Sequence, residues 1–134
     1  MINKIFSFNP FLLIILSNII LFDLYKIQNI VFYNTGYYLC IIINKKLKNI
    51  IKDRRPYWNY EKSLYNMPSG HCMAVFYSIA YIQYNPFHIL VGMTTIFNCI
   101  YYRYHTIDQT IVGSILGLVY GHFYLNFTRL FLNV

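Results

Sequence analysis

The chain has 134 residues, 57% of them hydrophobic, 20% aromatic and only 11% charged. That is the length of one domain, and the charge content is far below the ~25% of an ordinary soluble domain. The formal net charge of +7 sits on side chains too few and too clustered for a solvated nucleic-acid surface, and fits an anionic partner carried by a membrane.

Five apolar segments follow in chain order. The first runs from about Ile5 to Phe22 around "FLLIILSNIILF". Lys4 precedes it, as in a signal peptide, but "DLYKIQ" follows in place of a small-residue cleavage site, so a retained signal-anchor helix is expected. The second, about Ile30 to Ile43, is weaker and reads as broken by Asn34 and Gly36. The third is about Gly70 to Tyr84, closed by "NPF"; the fourth about Ile89 to Tyr102; the fifth about Ile107 to Phe127. Several fall short of the ~20 residues that span a bilayer, and terminal tyrosines extend them into the interface. The expected architecture is all-α: one multi-pass integral membrane domain, residues 1–134, with about five transmembrane helices and a motif-bearing core over about 45–121.

Five crossings would place Lys4, Lys45, Lys46, Lys48, Lys52, Arg54, Arg55, Lys62 and Arg103 on the N-terminal side, leaving Lys26 and Arg129 opposite. The positive-inside rule would put that basic side in the cytosol. Gly113, Gly117 and Gly121 form a small-residue stripe that lets another helix approach closely, either within the bundle or in a homodimer. Cys40, Cys72 and Cys99 are odd in number and form no C-x-x-C pair. Free buried thiols are expected, with neither a disulfide framework nor a zinc site.

Three stretches on the basic side carry chemistry: "KNIIKDRRP" (48–56), "PSGH" (68–71) and "YHTIDQ" (104–109). Ser69 reads as an N-cap, so the first N–H groups of the third helix make an anion site. Gly70 allows a ligand close to the backbone, and His71, in the first turn, can protonate a leaving oxygen. Lys48 and Arg55 suit the same anion, one as a compact charge and one as a fork, and with Ser69 and Gly70 they are expected to hold the phosphate. His105 can attack phosphorus as a neutral imidazole, giving a phosphohistidine that water hydrolyses. "TIDQ" reads as a capping box from Thr106 to Gln109. Asp108 suits the positive end of the fifth helix, and either Asp108 or Gln109 is a turn from His105 and able to orient it. His88 and His122 read as structural; nothing resembles H-E-x-x-H, so neither a metal site nor a cofactor is expected.

The K-x6-R-P pattern (Lys48, Arg55, Pro56), then Pro68, Ser69, Gly70 and His71, then a loop histidine, resembles the type 2 phosphatidic acid phosphatase superfamily over about residues 48–117. The His-Thr pair and downstream Gln are similar to its dolichyl-diphosphatase branch. The resemblance implies a membrane enzyme that hydrolyses a lipid phosphate or diphosphate, with its site on the lumenal or external face. The third family motif, S-R-x5-H-x3-D, is departed from: Asn98, Cys99 and Gln109 occupy its serine, arginine and aspartate positions. Arg103, four residues after Cys99 and so on the same face of a continuous helix, is expected to replace that arginine at the phosphate. Two other readings stand beside this one: a degenerate relative that binds lipid headgroups without hydrolysis, and a small structural membrane protein.

Overall fold

Three helices begin where the sequence supplies a cap. Ser69, in extended backbone, accepts a hydrogen bond from the Cys72 amide at 3.4 Å. Asn85 accepts one from the Phe87 amide at 3.0 Å, and Pro86 follows at the first helical position, so the fourth helix starts before the expected Ile89. Thr106 and Gln109 close a reciprocal capping box: the Gln109 N–H donates to Thr106 Oγ1 at 3.4 Å, and the Thr106 N–H donates to Gln109 Oε1 at 3.2 Å.

The computed structural model describes residues 9–24, 27–53 and 65–132. These form five helices and, among the described residues, no strand: α1 Asn9–Leu24, α2 Ile27–Ile51, α3 Gly70–Tyr81, α4 Pro86–Tyr101 and α5 Ile107–Leu132. Lys4, Lys26, Arg54, Arg55, Pro56 and Lys62 lie outside the described residues. α5 runs beyond the expected Phe127, while α3 stops short of Tyr84.

The largest departure from expectation is α2, which is continuous through Asn34 and Gly36 and extends to Ile51. Asn34 does not break it because its amide is satisfied twice, donating to the Ile30 carbonyl and to Asn18 Oδ1 on α1, both at 2.8 Å. Gly36 is a close-packing position: a Cβ there would collide with Tyr77 Oη and the Tyr124 ring. Lys45, Lys46 and Lys48, expected in a loop, are therefore on the last turns of a helix.

α3 is the central helix. Its buried residues are Cys72, Met73, Ala74, Val75, Tyr77, Ser78, Ile79, Ala80 and Tyr81, leaving little of its surface uncovered. It packs on α1, α2 and α4, and most extensively on α5. Twelve residues make only ~18 Å of helix, short of a ~30 Å hydrocarbon core. A helix enclosed by protein has no need to match that thickness. Around it, rings of Tyr33, Tyr37, Tyr77, Tyr81, Tyr120 and Tyr124 pack with centroids 5.4–6.3 Å apart. The hydroxyls of Tyr33, Tyr77 and Tyr120 find partners inside the bundle. Tyr33 pairs with Ser78 Oγ at 2.8 Å, and Tyr77 donates to the Tyr33 carbonyl at 2.9 Å.

The glycine stripe of α5 is filled by α3. A Cβ at Gly113 would stand 2.6 Å from the Ser69 carbonyl oxygen, and one at Gly121 2.7 Å from both the Tyr77 carbonyl and Ala80 Cβ; at Gly117 it would strike the Met73 carbonyl. Of the two readings of the stripe, packing within the bundle is the one seen in the fold: all three glycines are buried against the chain's own α3.

The outer faces are apolar. Ile15 and Ile19 on α1, Val31 and Tyr38 on α2, Leu90, Met93 and Phe97 on α4, and Ile111, Ile115, Val119 and Phe123 on α5 are all exposed. α5, with 26 residues, is long and apolar enough to cross a membrane; α4 is apolar but shorter. Length and composition do not by themselves make the other helices spans. Gly117→Ala is expected to destabilise the bundle by about 1–3 kcal/mol through overpacking, whereas Ile115→Ala, at an exposed position, leaves stability nearly unchanged. Thermal unfolding of the purified protein in detergent checks both.

Candidate active site

At one end of the bundle the close of α2, the residues before α3 and the loop from α4 to α5 are tied together by polar contacts. The Ser69 N–H donates to the Gln109 carbonyl at 3.0 Å, and the Asn66 N–H donates to the Asp53 carbonyl at 2.9 Å. Asn66 Nδ2 reaches the Tyr104 carbonyl at 2.9 Å and Gln109 Oε1 at 2.8 Å. Gln109 Nε2 donates to the Asp53 carboxylate. Asn44 Nδ2 reaches the Pro68 carbonyl at 3.3 Å, and its Oδ1 stands where a Cβ on Gly70 would press at 3.1 Å. Lys48 is one helical turn beyond Asn44 on the same face of α2. The three chemistry-bearing stretches therefore share one end of the molecule, as far as they are described.

Gln109 is the hub. It is 1% exposed, and its oxygen also faces His105 Nδ1 at 3.4 Å. His105 is buried in the loop between α4 and α5, and its N–H bonds back to the Cys99 carbonyl at 3.2 Å. Of the two expected orienting residues, Gln109 takes that position; Asp108 is exposed in the first turn of α5. His71 is exposed on the first turn of α3, and Lys48 is half-buried in the last turn of α2.

Ser69 is wholly buried, and its oxygen caps the Cys72 amide. That cap occupies one of the amides counted on for the anion site, and the Ser69 hydroxyl faces protein. Gly70, half-buried, opens α3 beside Asn44.

The expected geometry for Arg103 is corrected. α4 ends at Tyr101, and Arg103 has φ 54°, in the left-handed region. Its N–H donates to the Ile100 carbonyl and the Tyr104 N–H to the Cys99 carbonyl, both at 3.0 Å, which is a Schellman end with arginine in the usual glycine position. Arg103 is thus beyond the helix and exposed, not one turn along the same face as Cys99. Cys99 points inward, with its Sγ 3.8 Å from that of Cys72.

Asp53, Asn66 and Asn44 escaped the sequence reading. The available signal was rarity: Asp53 is one of only four acidic residues in the chain, and it lies inside the first motif stretch. His88 also has a partner the sequence did not reveal. Its Nε2 is 2.9 Å from Ser17 Oγ, clamping α4 to α1, while its Nδ1 is buried without a hydrogen-bond partner. His122 meets Tyr84 at the opposite end of the bundle.

With this geometry in view, comparison with protein-family models, with curated proteins and with solved structures returns no match. Replacing Gln109 by Ala removes the buried contacts of its side chain with Asn66 and Asp53 and its capping bond with Thr106, at a total cost of about 1–3 kcal/mol. Asp108→Ala is expected to cost less than about 1 kcal/mol, the scale of a helix-dipole interaction. Unfolding of the two variants side by side measures the difference.

Proposed function

We propose that this chain is a multi-pass membrane phosphatase that hydrolyses a lipid phosphate or diphosphate, of isoprenoid or glycerolipid type, through a phosphohistidine. The observation that carries the reading is the network through Gln109, which gathers the end of α2, the P-S-G-H turn and the His105 loop at one end of the bundle. Apolar outer faces on α1, α2, α4 and α5 suit a lipid surround for the whole bundle, from which the substrate's chain enters laterally.

In the proposed reaction the His105 Nε2 lone pair attacks phosphorus, the bond from phosphorus to the leaving oxygen breaks, and His71 gives that oxygen its proton. Water then attacks phosphorus. His71 takes a proton from the water, the P–N bond breaks with its electron pair returning to Nε2, and phosphate departs. Lys48, Arg55, Arg103 and the start of α3 at Gly70 supply positive charge for the phosphoryl oxygens. Ser69 acts by capping and placing that start.

A second reading is favoured by one observation. At the family's arginine position Cys99 is only 5% exposed and faces Cys72, so no cation stands there. On that reading the chain binds lipid headgroups without hydrolysis.

Purified protein assayed for phosphate release from polyprenyl diphosphate and phosphatidate, with an alkaline quench, distinguishes the two. The phosphatase reading expects phosphate on His105 and a loss on the order of 10³-fold or more in His105→Ala. Headgroup binding without turnover selects the second reading. Arg103→Gly keeps the left-handed backbone while removing the guanidinium. Loss of a charged hydrogen bond to phosphate, about 1.5–3 kcal/mol, lowers turnover about 10- to 100-fold with folding intact. Unchanged turnover removes Arg103 from the site.

A further inference from the structure

We propose that Asp53 is a positioning residue for this reaction: acting through the Gln109 amide, it holds His105 with its ring proton on Nδ1 and leaves the Nε2 lone pair for phosphorus. The proposal rests on the phosphatase reading and deepens it, by assigning a role to an acid the motifs do not include.

An amide side chain can usually be turned over without changing its outline, so its orientation must come from partners that cannot turn. Three such partners surround Gln109. The Tyr104 carbonyl only accepts, so Asn66 must present Nδ2 to it at 2.9 Å, and that same Nδ2 is 2.8 Å from Gln109 Oε1. The Thr106 backbone N–H only donates, and it reaches Oε1 at 3.2 Å. The Asp53 carboxylate only accepts, and it takes the Nε2 side. All three demand the same orientation. The atom facing His105 Nδ1 at 3.4 Å is therefore an acceptor, and an acceptor opposite Nδ1 places the proton there.

Asp53 adds charge as well as direction. Its bond to the amide is charge-assisted, and a carboxylate on the N–H side of an amide makes the carbonyl oxygen a stronger acceptor. When Nε2 bonds to phosphorus, the ring becomes cationic with its Nδ1–H against that oxygen. The family pattern has an acid at position 109; here the acid stands one side chain further back. Its backbone is pinned too. Lys52, at φ 53°, turns the chain out of α2, and the Asp53 carbonyl accepts the Asn66 N–H at 2.9 Å.

The test uses the full chain in nanodiscs with 15N-labelled histidine. There are four histidines, so His105→Ala assigns the His105 ring signals by subtraction. Wild type is expected to carry its His105 proton on Nδ1. Asp53→Ala is expected to shift that ring toward the Nε2–H form and to lower kcat for polyprenyl diphosphate about 10- to 100-fold, the size typical of losing a histidine's orienting partner, with KM nearly unchanged. Asp53→Asn keeps an oxygen acceptor without the charge; it recovers the tautomer and only part of the rate. A merely structural aspartate would lower the yield of folded protein without moving the tautomer. Asp53→Ala that folds and keeps both tautomer and rate overturns the proposal. If Asp53→Ala does not fold, a wild-type rate in Asp53→Asn overturns it. Should wild type release no phosphate, the phosphatase reading fails, and the ring spectra still decide the positioning claim: Nδ1–H lost in Asp53→Ala supports it, and Nε2–H in wild type overturns it.

Discussion

The close backbone approach of α3 and α5 is the constraint from which the rest of the molecule follows. In the lipid surround proposed for this bundle, helices gain little from hiding hydrocarbon from hydrocarbon, so van der Waals fit and small residues decide which pairs form. Gly113, Gly117 and Gly121 remove the side chains that would hold α5 away from the Ser69, Met73 and Tyr77 backbone. The same approach brings the Ser69 N–H onto the Gln109 carbonyl, so the starts of both helices lie together. α3 is then walled in by α1, α2, α4 and α5, so a helix of only twelve residues occupies the centre of the bundle.

Where the apolar packing ends, amide side chains take over. Asn44, Asn66 and Gln109 are all buried at the site end of the bundle, each tied to a neighbouring segment. Buried amides are stabilising only when their groups are matched, and matched networks are stiff because each partner restricts the next. Asn66 Oδ1 is the exception in this network, buried without a hydrogen-bond partner. The stiffness bears on the proposed chemistry: His105 is held between its backbone bond to Cys99 and the fixed Gln109 oxygen.

The α4 terminus sets the division of charge. A left-handed Arg103 ends the helix, turns its own side chain outward and sends Tyr104 and His105 back against the Cys99 carbonyl. Left-handed backbone costs a non-glycine residue about 1–2 kcal/mol, offset here by the two hydrogen bonds of the Schellman end. Cys99 fills the inward position with a small thiol. In the proposed reaction Lys48 and Arg103 bring cations to the rim, and the buried layer beneath contributes neutral amides and one carboxylate.

Much of this was legible in the sequence because its signals are local. A cap is an energy between residues three apart, so Ser69 and the Thr106–Gln109 box could be read directly. Asn85–Pro86 carries the same kind of signal, though "NPF" equally well closes the preceding helix. Apolar runs placed five helices, and the glycine spacing marked the face of α5 that another helix would meet. Which helix meets it could not be read, since the choice depends on the shapes of all the others. Asn34 looked like a break because its partner, Asn18, is supplied by the fold of α1 against α2. Arg103 looked helical because the end of α4 is decided by left-handed backbone that no glycine announces. Gln109 could be assigned to its cap, but not to Asp53, 56 residues earlier, or to Asn66, 43 residues earlier. Local backbone energetics fixed the elements, and tertiary structure alone decided which buried polar groups would satisfy one another, because that matching exists only once distant segments have been brought to one end of the bundle.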